Sequence, residues 1–544
     1  MHAPFHHLRT AAIVTLSAAT LLSARASAQT GRPASFVDTA LQTATISPES
    51  VRRLSIDEAV KLALEQNLGI RIQRIDPQIQ DVGIWQAKSF WSPNLTSSLS
   101  RNGQTQRSTT ALSGGATSVD NGTFATGLGV NQLLPTGGVY SAAWNNQRVT
   151  TTNLFSNFSP QLLSTVSFNF TQPLLRNFKI DQVREQILLS SKLRDLSDIQ
   201  LHTVVVQTTR NVKNAYWDLT TARNNLMAQS QSLELAQRSL RDNQRRVEVG
   251  TMAPIDIIQA QAEVALNEQQ VIVAQASIKS SEDRLRALIF DPDMANFWTV
   301  TIEPTDAAPF AEQSIDVDAA VRNALGKRDD LSQTKNNLQQ NDVSIRYLRN
   351  QILPDISASV NYLSTGVGGV QLSPVDLAAI AGGAAPARTV VSDRGFGSVL
   401  SEAAQSNYPN WTFAVSVGYP LGASTAQANL ARARLQYQQV ETQLKNQQLQ
   451  VATQVRDVAR QVQTNQQRVR SARASRELQE KKLEAEEKKQ AAGMSTSFFV
   501  FQAQRDLSQA RTQEIQAISD YNKSLVDFEA VQEVPLVGST IGGR

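Results

Sequence analysis

The chain contains no cysteine, so no disulfide framework can hold it and no N-terminal Cys can carry a lipid. Histidine is nearly as scarce: His2, His6 and His7 stand at the start, and only His202 follows. Metal sites built on His, Cys nucleophiles and Ser-His-Asp triads therefore have almost no raw material. No GxxxxGKS or GxGxxG stands in strand-to-helix context, and Asp329-Asp330 reads as a solvated or capping pair near a helix boundary. These absences argue against an enzyme and imply no cofactor and no metal. A net charge of +4 over 544 residues, with no block of like charges, argues against nucleic acid as a partner. Aromatics make up 6% and charged residues 18%, which suits long polar helices better than one large globular core. Beyond the first 28 residues no apolar run reaches the 18 or so residues of a membrane-crossing helix. The nearest, Leu377 to Val391, is broken by Gly382, Gly383, Pro386 and Arg388. A membrane role would need β-strands.

What is present begins with an export signal. Arg9 precedes an apolar run from Ala11 to Leu22, and Ala26-Ser27-Ala28 offers a small-residue cleavage site. Residues 1–28 read as a signal peptide and 29–53 as a linker.

The remainder reads as a duplication, with a first repeat over 54–310, a second over 311–534 and a tail over 535–544. LSIDEAVKLALEQN from Leu54 returns as SIDVDAAVRNALGK from Ser314, and Ala59-Val60 falls on Ala320-Val321. Pro93 and Pro354 each open a β-like run, Pro173 and Pro420 each close one, and Gln259-Ala260-Gln261 after Gly250 matches Gln502-Ala503-Gln504 after Gly493. Between Leu174 and Ala253 there is no proline and one glycine, Gly250; between Ala423 and Ala492 there is neither. Each stretch can be one helix of roughly 100 Å at about 1.5 Å per residue.

Apolar residues recur every seven positions at Val212, Leu219, Leu226, Leu233, Leu240 and Val247, and at Val455, Val462, Val469 and Leu483, with Arg476 as a break. After the glycines the spacing resumes through Ile257, Val264, Val271, Ile278 and Leu285, and through Val500, Leu507, Tyr521 and Phe528 around Glu514. Sevens with small companions such as Ala260, Ala274, Ala503 and Ala517 imply close coiled-coil hairpins. The tips fall at Gly250 and Gly493.

Trp411, Phe413, Val415, Val417 and Tyr419 alternate with small or polar residues, as do Val166, Phe168 and Phe170. With Asn94 to about Gln104 and Asp355 to Leu363, these make four strands of near bilayer-crossing length. Four cannot close a wet barrel, so several protomers must share one. Between Asn102 and Pro160, Thr136-Gly137-Gly138 reads as a hairpin turn, belonging either to an extracellular hairpin or to extra barrel strands. The Gly- and Ala-rich run from Gly366 to Pro409 reads as an exposed flexible loop. The fold expected is mostly α with a membrane β-barrel portion: long antiparallel coiled-coil helices plus four or more barrel strands per protomer.

These residues resemble the TolC-like outer-membrane efflux protein family over roughly Leu54 to Val534. The resemblance rests on the LSIDEAVKLALEQN opening, Gln172-Pro173-Leu174-Leu175, Ala215-Tyr216-Trp217-Asp218-Leu219, and Val249-Gly250-Thr251 followed by Asp256 and Gln259-Ala260-Gln261. It implies a homotrimer with a twelve-stranded barrel in outer-membrane lipid and a long periplasmic helical tube. It further implies docking on a periplasmic adaptor protein and an inner-membrane pump, with Val249, Gly250, Thr251, Ala492, Gly493 and Met494 as the adaptor-contacting tips. Where family members carry constriction acids after the second tip, this chain has Phe499 and Gln502, flanked by Phe498 and Phe501. Asp256 keeps the acid of the first tip, either to tie neighbouring hairpins together or as a helix-start carboxylate. The function implied is the passive outer-membrane channel of a tripartite efflux or type I secretion system. The alternative weighed against it is a structural coiled-coil or adhesin-type surface protein, which has no reason for paired bilayer-length strands.

Overall fold

The computed structural model describes residues 51–108, 117–308, 310–378, 388–422 and 424–533. The expected signal peptide, nearly all of the linker and the C-terminal tail lie outside them.

A short strand β1 (Val51–Leu54) leads into α1 (Ile56–Gln66), α2 (Leu68–Gln73) and α3 (Asp76–Ser89). Ser55 and Glu58 form a reciprocal capping box at the start of α1, satisfying N–H groups that a helix start leaves unpaired. Four strands follow: β2 (Asn94–Arg107), β3 (Ser118–Leu133), β4 (Val139–Thr151) and β5 (Phe158–Pro173). The chain then descends α4 (Gln182–Glu248) and returns along α5 (Ile255–Ile289) to β6 (Thr301–Pro304), which pairs in parallel with β1. The second half runs α6 (Val317–Lys327), α7 (Asp329–Gln351), β7 (Asp355–Leu372), β8 (Val390–Arg394), α8 (Phe396–Ala404) and β9 (Pro409–Gly418). It ends with α9 (Thr425–Ala491) and α10 (Ser497–Gln532).

The two longest helices each have 67 residues, or roughly 100 Å at about 1.5 Å per residue. Each begins on a side-chain cap, Asp181 accepting from the Arg184 N–H and Ser424 from the Gln427 N–H. Beside them the shorter helices stand in two tiers. Both α3 and α5 pack along α4, while α7 and α10 each touch α4 and α9. Four helix positions therefore lie side by side. The sevenfold seam is buried at Val212 and Leu219, and at Val455, Val462, Val469 and Leu483, with Ala260, Ala503, Ala510 and Ala517 closing the gap opposite. Lower in the first hairpin it departs from expectation: Leu226, Leu233, Leu240 and Val247 are half-buried, and Ala222, Ala236 and Asn243 take the buried positions. The two breaks in the seam meet: Arg476 Nε lies 2.5 Å from a Glu514 oxygen, and its Nη1 lies 2.9 Å from Glu480.

Where the tiers join, α1, β1 and β6 pack on α4 through Leu54, Ala59, Val60, Val212, Tyr216, Leu219, Leu285 and Ile302. The Tyr216 hydroxyl donates to Leu54 O at 3.1 Å and accepts from the Asp306 N–H at 3.0 Å. Burial pushes this phenol up to about 12. In the second half Ala320, Ala324 and Leu331 pack on Val451 and Val455.

One antiparallel sheet runs in the order β2-β3-β4-β5-β7, with β8 and β9 pairing successive stretches of the same edge of β7. Of the two alternatives for the insertion, the structure takes that of extra strands. Residues between Asn102 and Pro160 supply β3 and β4, two full strands, so six strands of ten or more residues lie side by side. The Leu134–Gly138 turn is not extracellular. It sits at the helical end of the sheet, and a Cβ added at Gly137 would fall 2.4 Å from Asn177 O and 2.9 Å from the Arg184 guanidinium.

The register assigns every strand residue to a face. Leu99, Phe124, Leu128, Val130, Tyr140, Trp144, Val166, Phe168, Phe170, Val360, Tyr362, Trp411 and Phe413 share one face, which toward the end away from the helices also carries Arg101, Thr126, Asn146, Arg148 and Ser164. Ser98, Thr123, Asn131, Ser141, Asn145, Thr165, Asn169, Ser359, Asn361, Thr412 and Ser416 share the other. Period two makes this separation automatic once one register is fixed.

The run from Gly366 to Pro409 also departs from expectation. Residues 379–387 lie outside those described, but the rest of the segment is ordered against the sheet. Val399 and Ala403 of α8 are buried on β7, and the Ser364 hydroxyl donates to Ala403 O at 2.7 Å. Glycine makes this contact possible, since a Cβ at Gly366 would fall 2.1 Å from Val399 O.

Candidate gate and docking tips

At the far end from the sheet both long helices stop on a left-handed glycine. Gly250 has φ 79° and Gly493 φ 77°, a region glycine enters without steric penalty. Gly250 N–H donates to Val247 O at 2.9 Å and Thr251 N–H to Arg246 O at 2.8 Å; Gly493 N–H donates to Gln490 O and Met494 N–H to Lys489 O. The Thr251 hydroxyl adds a bond to Arg246 O at 2.9 Å. An added Cβ at either glycine would meet nothing within 4 Å, so backbone conformation alone requires the residue. Val249 and Met494, flanking the glycines, are about three-quarters exposed. Such apolar side chains at a free tip are available to a partner surface.

The two tips lie together, Ser497 Oγ standing 3.9 Å from Met252 Sδ. Above them Gln504 donates to Ser239 at 3.1 Å, and Arg505 of α10 donates twice to one Glu263 oxygen of α5, at 2.9 and 2.6 Å. Glu263 is almost wholly buried, and its carboxylate holds the Arg505 guanidinium more firmly protonated than usual. This tie joins a helix of each hairpin across α4.

Among the residues expected at the constriction, Asp256 is the second residue of α5, half-buried and without a salt-bridge partner among the described residues. Phe499 is 55% exposed and stands edge-to-face with Phe498 at 5.6 Å, while Gln502 donates to Asp506 at 2.8 Å. Phe501 is buried, as is the seam of Leu483, Val500, Ala503 and Leu507. The aromatic run therefore splits into one packing ring and two free ones. At the other end Pro93 and Pro354 stand immediately before β2 and β7, Pro173 is the last residue of β5, and Pro420 follows β9 by two.

Some features were not legible as sites. Asp329 is neither solvated nor only capping: its Oδ2 lies 2.7 Å from His202 Nδ1 and accepts from Thr203 at 3.0 Å. Its own N–H donates to Glu533 at 2.8 Å. Ligand atoms of His202, Asp329 and Glu533 lie within 4.8 Å of one another, held together by these hydrogen bonds. The cluster marks the joint where α10 ends and α7 begins beside α4. The Arg476–Glu514 pair could have been found, since the two positions are equidistant from position 495 in the second turn.

Paired glycine-tipped hairpins below a sheet with one apolar and one polar face define an envelope channel rather than a rod. The outer membrane efflux protein family model matches residues 139–289 and 320–531, and the chain belongs to that family. It is an outer-membrane channel protein that extends into the periplasm, with the TolC-like trimeric α/β-barrel fold. Among solved structures, a membrane protein from Pseudomonas aeruginosa is similar with a TM-score of 0.60 at 14% identity, covering 88% of this chain and 93% of that one. The outer membrane protein VceC from Vibrio cholerae gives 0.59 at 15%, covering 88% and 95%. The open-state MtrE outer membrane channel of Neisseria gonorrhoeae gives 0.58 at 16%, covering 88% of each. No curated protein matches the chain.

Proposed function

We propose that the chain is the outer-membrane conduit of a tripartite efflux or type I secretion system, a homotrimer that passes substrate from periplasm to exterior after docking a periplasmic adaptor and an inner-membrane pump. The observation that carries this reading is the placement of two exposed glycine tips at the end of helices of about 100 Å, opposite a sheet whose faces suit lipid and water. Conduction is passive, and the pump supplies the drive. Val249, Gly250, Thr251, Ala492, Gly493 and Met494 meet the adaptor, and docking splays the hairpins. Phe499, with Gln502 and Asp256, lines the constriction that this opens, in place of a ring of acids. On this reading residues 54–310 and 311–534 act as two hairpin-bearing units.

Planar-bilayer recording tests this. Purified protein is expected to form channels, and Phe499→Asp to raise their cation selectivity and conductance, whereas Phe501→Ala acts through packing and lowers thermal stability. A trimer that never conducts, or a Phe499→Asp channel identical to the parent, overturns the conduit or the constriction respectively.

A further inference from the structure

The number of strands sets the width of the membrane pore. We infer that three copies of this chain close an eighteen-stranded barrel, in which β2 of each protomer pairs with β9 of the next. This rests on the trimeric-channel reading and goes beyond the twelve strands that the family resemblance implies.

Four observations carry it. First, six long strands form one continuous antiparallel sheet, and the β3–β4 hairpin lies inside it, between β2 and β5. The hairpin cannot leave the barrel without opening two hydrogen-bonded ladders.

Second, β3 and β4 obey the same face separation as their neighbours. In the half of the hairpin nearest the helices Leu128, Val130, Tyr140, Ala142 and Trp144 lie on the apolar face and Asn131, Ser141 and Asn145 on the polar one; farther out the apolar face also carries Thr126, Asn146 and Arg148 beside Phe124. An extracellular hairpin wet on both sides has no reason for that alternation, whereas a strand between lipid and a wet lumen requires it.

Third, both outer edges are unpaired over the stretches that matter. Among the described residues β2 pairs only with β3, and β9 only with β7. Unpaired edges cannot persist in hydrocarbon. β2 leaves the helices after α3 and β9 returns to them before α9, so the two run in opposite directions and form an antiparallel ladder when copies meet. A second copy of this chain is therefore the occupant that the edges fit.

Fourth, the perimeter agrees with the helical tube. Strands about 4.8 Å apart and tilted near 40° give roughly 110 Å for eighteen and roughly 75 Å for twelve. Twelve helix positions at about 8–10 Å give roughly 100–120 Å. Eighteen strands can sit on that rim without convergence. The foot of the inserted hairpin is fastened there: Gln132 donates to Trp91 O at 2.6 Å, and Gln172 donates to Thr136 O at 3.0 Å.

The consequence is a barrel about one and a half times as wide as a twelve-stranded one, admitting bulkier cargo. The decisive measurement is a strand count by cryo-electron microscopy of the full chain in lipid nanodiscs, with eighteen expected. The cysteine-free chain also permits a test in solution. One cysteine among Thr96→Cys, Ser98→Cys and Ser100→Cys is combined with one among Thr412→Cys, Ala414→Cys and Ser416→Cys. At least one combination is expected to give reducible covalent trimers. Ala143→Cys, on the polar face of β4, is expected to react with a water-soluble maleimide in nanodiscs, and Ala142→Cys to be protected. Twelve strands, or equal labelling of the two β4 positions, overturns the inference while leaving a conducting trimer intact; failure to insert or conduct would instead defeat the functional reading on which it rests.

Discussion

The first and second halves of the chain solve the same stretch of membrane differently. Between the strand that leaves the helices and the strand that returns, the first half inserts the complete hairpin β3–β4, while the second inserts β8 and the helix α8. A hairpin extends the sheet sideways and exposes two new faces that must alternate. A helix adds a second layer instead, and that layer needs a notch, which Gly366 and Gly368 provide beneath Val399. Insertions of either kind are tolerated because they fall at a strand-joining end, where loop length costs little. Their consequences diverge: one changes the pore perimeter and the other covers a patch of existing sheet.

The sharpest way to break this comparison is to fill the notch. Gly366→Val puts a side chain where α8 backbone now lies and is expected to cost on the order of 3 kcal/mol or to undock α8 outright. Gly103→Val, on β2 in the first half, meets nothing within 4 Å and is expected to be nearly silent. Limited proteolysis around residues 388–405 distinguishes the two; equal resistance would show that α8 does not depend on the notch.

A second contrast lies in the seams. Positions Arg476 and Glu514 correspond, 243 residues earlier, to Leu233 and Val271. Arg476→Ala leaves the largely buried Glu514 carboxylate with Arg473, 3.4 Å away, as its remaining cation and is expected to cost about 1–2 kcal/mol, whereas Arg476→Leu with Glu514→Val, which writes the first-half residues into the second, is expected to be neutral or stabilising. Thermal unfolding in detergent measures both, and a double variant as unstable as the single one would mean that the pair contributes more than its charge neutrality.

The third contrast is at the tier joint, where Tyr216 has Ala459 as its second-half counterpart. Tyr216→Phe leaves Leu54 O and the Asp306 N–H without this partner and is expected to cost about 1–2 kcal/mol. Ala459→Ser, at a buried position without such a polar cluster, tests whether the second half has room for any hydroxyl there.

The smallest effect concerns pH. Burial, reinforced by the neighbouring Asp329, pushes Glu533 up to about 7, and the hydrogen bond to Asp329 raises His202. Both groups hold their protons more tightly folded than unfolded, where Glu titrates at about 4.3 and His at about 6.5. Their contribution to stability is therefore complete at low pH and is lost as pH rises through about 7. Midpoints of thermal unfolding are expected to fall by a few degrees from about pH 5.5 to about pH 8.5. In Glu533→Gln, which stays neutral, much of that slope should vanish; an unchanged slope would assign it elsewhere.

Much of this molecule was readable without coordinates because its elements follow local rules. Uninterrupted stretches free of proline dictated the 67-residue helices, sevenfold spacing selected the buried seam of the second hairpin but only Val212, Leu219 and Leu285 of the first, and only glycine suited the left-handed turns at Gly250 and Gly493. Alternation placed Trp411 and Phe413 on one face from period two alone. What the sequence left open depended on contacts between distant residues. The Asn102 to Pro160 insertion carries strand-like alternation in either location, and only its ladders with β2 and β5 place it within the sheet. The Gly366 to Pro409 segment has the composition of a loop, and only the meeting of Val399 with two glycines orders it. His202 and Asp329 come from two helices and Glu533 from the cap that ends a third, with no shared spacing. By itself the sequence determined which elements form and which faces they bury, because those choices rest on neighbours a few residues away. The tertiary structure decided how many strands stand side by side and which polar groups meet at the joints, because hydrogen-bonded edges and buried charges are completed only by partners far along the chain.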